Sequence, residues 1–230
     1  MTPVGQYLLQ WEQQQMDAQL ADVFGFHAVQ LGWAELDALR SNRMPHRWLA
    51  LTHATGNWQA NAALVTDSVA LPFSDASLDL VVLPHTLELS RDPHATLREV
   101  ERVLVPEGRV VICGFNPASL WGLRRQVALG LPKRHEMIGL WRLRDWLQLL
   151  SFEVTSQHMG SYRPALKSLR WLQRMAWMDA AGSRWWPIFG ASYCVVATKR
   201  VRGMRLLEPV WKRPSSRAAR AVTTASKGMK

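Results

Sequence analysis

The spacing of apolar and polar residues changes period along the chain, and each change predicts an element. Residues 6–24 place Leu8, Leu9, Met16, Leu20 and Phe24 at near-helical spacing, which predicts an amphipathic helix. Residues 26–32 (FHAVQLG) read as a strand that ends in glycine, 34–41 (AELDALRS) as a short helix closed by Pro45, and 46–51 (HRWLAL) and 61–67 (NAALVTD) as two further strands. Residues 78–84 (LDLVVLP) are apolar on both faces, the mark of a buried strand. Residues 92–105 give the strongest helix pattern. Asp92 stands at the N-cap, Pro93 at the first helical position, and Leu97, Val100, Val103 and Leu104 share a face. A second buried strand follows at 108–115. The pattern then predicts a helix over 140–150, a strand over 152–159, a helix over 165–182 and a last strand over 191–200. Strands alternating with helices imply a parallel sheet wound on both faces, with an antiparallel final strand.

Composition sets the size of this unit. Of 230 residues, 48% are hydrophobic, enough for one α/β domain with its own core. After Glu208 the chain turns to Pro, Ser, Arg, Lys and Ala. Residues 1–208 are therefore expected to fold, with the 6–24 helix included, and 209–230 to form a basic, disordered tail. The net charge of +10 is lopsided, since residues 199–230 hold ten Lys/Arg and one acid, Glu208. The folded part is nearly neutral, and weak polyanion binding is expected of the tail alone. Cys113 and Cys194 sit in apolar strand runs and are expected to be buried, reduced thiols on neighbouring strands. No Cys/His spacing suits a metal, and no run is long enough for a membrane span. A cytoplasmic protein, monomeric or dimeric, is expected.

The stretch 67–112 carries the chemistry. It contains Asp67, Leu71-Pro72-Phe73, Asp79, Leu87-Glu88, Asp92-Pro93, Arg102-Val103-Leu104 and Pro106-Glu107-Gly108. In this order it resembles UbiE-type class I S-adenosylmethionine-dependent methyltransferases (methyltransferase type 11). Residues 114–125 and 143–154 bring the chain closest to the YafS-like bacterial subgroup. The resemblance implies a Rossmann-like three-layer sandwich, with a mostly parallel seven-stranded sheet and an antiparallel last strand. It also implies S-adenosyl-L-methionine as cofactor and an unidentified small-molecule methyl acceptor.

Carried over position by position, the resemblance assigns cofactor contacts to Gly32, Trp33, Thr52, His53, Asp67, Ser68, Pro84 and His85. His85 would also be a base, and Asn116 would face the acceptor. Asp79, Glu88 and Arg102 match the family but read as structural. Two departures stand out. Where the family has an acid and three glycines after the first strand, this chain has Gln30, Gly32, Trp33 and Ala34. Where it has an acid after the second strand, this chain has Thr52, His53 and Asn57. A tryptophan beside Gly32 would either crowd the cofactor or stack on its adenine. The alternatives to an enzyme are a non-catalytic scaffold that keeps the fold as a binding module and a nucleic-acid-associated protein using the basic tail.

Overall fold

The computed structural model describes residues 2–52, 62–123, 137–166 and 168–200. Helix α1 spans Pro3–Leu20, starting earlier than the apolar pattern suggests, because Thr2 Oγ1 accepts from Gly5 N and Pro3 presets the first turn. Its buried residues are Val4, Leu8, Glu12, Met16 and Leu20, one i, i+4 row. Met16 and Leu20 are fully buried in the cluster that holds Cys113, Cys194 and Val196. At about 1.5–3 kcal/mol for each such side chain, burial rather than helix propensity holds α1 in place. The helix ends before Phe24, which is 75% exposed.

Strands β1 (His27–Leu31), β2 (His46–Leu51), β3 (Ala62–Val65), β4 (Leu78–Pro84), β5 (Leu104–Phe115), β6 (Phe152–Gly160) and β7 (Ser192–Lys199) form one sheet in the order β3-β2-β1-β4-β5-β7-β6. β7 alone runs opposite to the other six strands, pairing antiparallel with β5 and β6. Cys113 and Cys194 are directly paired across β5 and β7, buried and unbonded. Helices α2 (Thr86–Leu89) and α3 (Pro93–Val103) follow β4, and α4 (Leu120–Leu123) and α5 (Leu140–Leu149) follow β5; α3 and α5 cover one face and α1 the other. Asp92 caps α3 as its sequence predicts, its Oδ1 accepting from Ala95 N at 2.9 Å.

Two expected helices take other forms. Residues 34–41 are successive turns, in which Leu36, Arg40 and Asn42 each donate a backbone N–H to the residue three back. Gln30 explains this. Its Nε2 donates to Leu36 O at 2.6 Å and to Trp33 O at 3.0 Å, and its Oε1 accepts from Ala38 N at 3.0 Å. The backbone groups a helix would use are thus consumed by one buried amide. The 165–182 helix is broken into α6 (Leu169–Arg174) and α7 (Trp177–Trp185), with a 3-10 turn at Pro187–Phe189 after them.

The family-matching residues Asp79, Glu88 and Arg102 each hold structure. Asp79 Oδ2 accepts from Phe26 N and His27 N, starting β1. Arg102 donates to Leu71 O and Phe73 O and pairs with Glu99, whose Oε1 accepts from Leu71 N. This pins the Leu-Pro-Phe loop to α3.

Candidate active site

Strand order reverses between β1 and β4, so the crevice beyond their carboxyl ends is where an open α/β sheet takes its ligand. Leu31-Gly32-Trp33 form one lip, and Pro84-His85-Thr86, running into the one-turn helix α2 (Thr86–Leu89), form the other. Thr86 Oγ1 ties the lips by donating to Leu31 O. Gly32 has φ +78°, and among the described residues an added side chain there would meet only Thr86 Oγ1, at 3.5 Å. The backbone at Gly32 is therefore open to close approach of a ligand.

His85 takes the left-handed conformation, φ +55°, and sits between two carboxylates. Its Nε2 is 2.8 Å from Glu12 Oε1, and its Nδ1 is 2.8 Å from Glu88 Oε2. All three residues are buried. Glu88 Oε1 also accepts from Phe115 N, and Glu12 Oε1 from Ser192 Oγ. Burial alone would lower the His85 pKa, but Glu12 and Glu88 together outweigh it and raise it to about 10. His85 is thus a cation at neutral pH. Burial raises the Glu88 carboxyl, against the pull of His85. Glu12 Oε2 is buried with no hydrogen-bond partner among the described residues. Trp33 closes the crest, its ring edge-on to His85 at 4.9 Å and packed on the cluster of Leu8, Phe115 and Trp121.

The sequence-assigned residues divide accordingly. Gly32 lines the crest, and Thr52 and Asp67 stand exposed at the ends of β2 and β3. Asp67 Oδ1 accepts from Val69 N. Ser68 turns inward to Thr96 Oγ1. Pro84 is buried in β4. Asn116 spends its amide on Ile188 O, Gly190 O and Ala118 N. His53 lies outside the described residues. Glu12 escaped sequence reasoning, although a signal was present: it is a charged residue on the Leu8–Met16–Leu20 row.

An apolar cavity of about 290 Å³ lies between Ala118, Leu120, Tyr162, Met178, Trp186 and Phe189. Asn116 fixes two of its walls, bonding both the 188–190 strand entry and Ala118. A separate 350 Å³ groove beside β2 is lined by Gln30, Ala34, Asp37, Arg40, Arg47 and Leu49 among others. Gly32, Thr52 and Asp67, at the carboxyl ends of β1, β2 and β3, offer a bare backbone, a hydroxyl and a carboxylate, groups of the kind that would hold an adenosine. Trp33 covers the end of the crest at His85.

Comparison with known proteins agrees with this architecture. Residues 45–112 match the methyltransferase domain family. Among curated proteins, YafS of Escherichia coli (strain K12) is 37% identical over 150 residues, which is 62% of this chain and 59% of YafS. Malonyl-[acyl-carrier protein] O-methyltransferase of Halorhodospira halophila is 36% identical over 98 residues, 43% of this chain and 29% of that protein. The chain thus spans about three-fifths of YafS and under a third of the methyltransferase. Among solved structures, a SAM-dependent methyltransferase of Archaeoglobus fulgidus superposes with TM-score 0.60 at 14% identity, covering 83% of this chain and 94% of that one. The [4+2]-cyclase SpnF superposes with TM-score 0.54 at 14% identity, covering 83% and 80%.

Proposed function

We propose, for a chain that carries a class I S-adenosylmethionine-dependent methyltransferase domain, that it binds this cofactor in the β1–β4 crevice and transfers the methyl group to an apolar small molecule. The observation that carries the reading is Gly32, left-handed and unobstructed at the point where strand order reverses, with Asp67 and Thr52 exposed at the neighbouring strand ends. When bound, the cofactor supplies a methyl group on a positively charged sulfur, so holding donor and acceptor in line supplies much of the catalysis. In this proposal the Gly32 backbone lies against the adenosine, Asp67 accepts hydrogen bonds from it and the Thr52 hydroxyl exchanges one with it. His85, cationic between Glu12 and Glu88, cannot take up a proton and serves as a positioning residue that fastens α1 to the crest. The apolar cavity beside Asn116 favours an acceptor with a ring or alkyl group.

A second reading, a non-catalytic scaffold, is favoured by the plug of Trp33, His85, Glu12 and Glu88. The cyclase fold-mate makes the same point: fold alone does not settle activity. Calorimetric titration with S-adenosylmethionine and S-adenosylhomocysteine separates the two. The parent chain is expected to bind weakly. Asp67→Ala should weaken binding about 10-fold or more, the cost of losing a charged acceptor. Asp75→Ala, which removes only an exposed partner of Arg102, should leave it unchanged. Because the Trp33 ring rests on His85 rather than standing free for an adenine, Trp33→Gly should tighten binding. No heat from either the parent or the Trp33→Gly chain, both folded, would favour the scaffold.

A further inference from the structure

Between β6 and β7 the chain leaves the sheet for α6, α7 and the 3-10 turn, and this insertion turns its apolar side chains outward. Trp177 is 63% exposed, Trp185 74%, Ile188 57% and Leu169 54%, with Trp171 and Phe189 above half. Each helix buries a single residue, Leu172 in α6 and Gly182 in α7. The inner side is fastened by a polar clamp: Asp179 accepts from Tyr7 OH and Tyr162 N and pairs with Arg163. Asp179 is also the one acid between residues 163 and 190, so its charge is spent inward. The exposed charges of the insertion, Arg170, Arg174 and Arg184, are all positive.

We propose that this insertion is a peripheral docking surface for a bilayer with anionic headgroups. Tryptophan is the side chain most at home where hydrocarbon meets headgroup, its ring apolar and its N–H polar. Arginines of one sign beside it add attraction to acidic lipid. A surface so apolar would not stay in water by preference, and no helix among the described residues is long and apolar enough to cross a membrane, so the contact is surface-bound. A nucleic acid would also answer the arginines, but it has no use for exposed Ile188 and Leu169, which a bilayer buries. Trp186 and Phe189 also wall the apolar cavity. If that cavity takes the acceptor, as proposed above, a docked chain would draw a lipid-soluble acceptor directly from the bilayer. The docking itself does not depend on that reading.

The test is co-sedimentation of the full chain with vesicles of phosphatidylcholine alone and of phosphatidylcholine mixed with phosphatidylglycerol. The parent should bind the mixed vesicles and leave the zwitterionic ones. The exposed pairs Trp177→Ser with Trp185→Ser, and Arg170→Glu with Arg174→Glu, should each lower that binding about tenfold or more while circular dichroism stays that of the parent. A parent that ignores the mixed vesicles overturns the proposal. So do variants that bind as the parent does, since binding would then reside elsewhere in the chain. Loss of a dimer in the tryptophan variant, with vesicle binding unchanged, would assign the patch to a second copy.

Discussion

His85 shows how one side chain can change meaning between sequence and structure. In sequence it follows a strand that points at a cofactor crevice, which makes it a candidate base. In three dimensions both ring nitrogens are occupied by carboxylates, and its proton is held up to about pH 10. The unfolded chain releases that proton near 6.5. The folded-state pKa is the higher one, so the stabilisation is complete below 6.5 and is lost as pH rises through about 10. Urea unfolding between pH 7 and 9 should therefore show stability falling, by up to about 1.4 kcal/mol per pH unit. In His85→Gln the chain should be less stable at pH 7, because two buried carboxylates lose their cation, and most of the slope should vanish. Glu12→Gln should shallow the slope while keeping the imidazole. A parent whose stability is flat over this range would show that His85 is neutral in the fold. Sequence motifs did not reveal this triad, since Glu12 lies 73 residues before His85 and carries no motif. Its place on the Val4–Leu8–Met16–Leu20 row was the available signal.

At the scale of elements, the strands were legible and two helices were not. All seven strand predictions correspond to β1–β7, because apolar runs bounded by Gly, Pro or charge leave little choice. The α3 boundaries were readable because Asp92, Pro93 and the apolar face agree. Residues 34–41 have helical periodicity too, but local pattern lost to a distant partner: the Gln30 amide reaches four backbone groups, those of Gly32, Trp33, Leu36 and Ala38. A carboxylate at this position would have no N–H to donate, so the glutamine and the turn structure belong together. Gln30→Ala should expose the dependence. Leaving buried backbone groups unpaired costs about 1–3 kcal/mol each where water cannot reach them, so the variant should lose on the order of 2 kcal/mol in urea unfolding. It should also gain hydrogen exchange at Ala38 before the rest of the sheet. Unchanged stability would mean that the 34–42 turns hold themselves together.

For the molecule as a whole, the sequence separates charge from core. The sheet order, the antiparallel β7 and the opposed Cys113 and Cys194 are properties of residues within 27–199. The basic excess belongs to 199–230, of which 201–230 lie outside the described residues. If 209–230 contributes charge and no core, a chain cut after Glu208 should unfold in urea within about 0.5 kcal/mol of the parent, the size of a surface change. Its binding to a polyanion such as heparin should weaken. The slope of log affinity against log salt should also flatten, because fewer counterions are released. Binding to vesicles that contain phosphatidylglycerol should respond differently: the cut chain keeps Trp177, Trp185, Arg170 and Arg174, so it should still sediment with them, at lower affinity in low salt. A loss of several kcal/mol on truncation would mean instead that the basic segment packs on the domain, and the division at residue 208 would have to be abandoned.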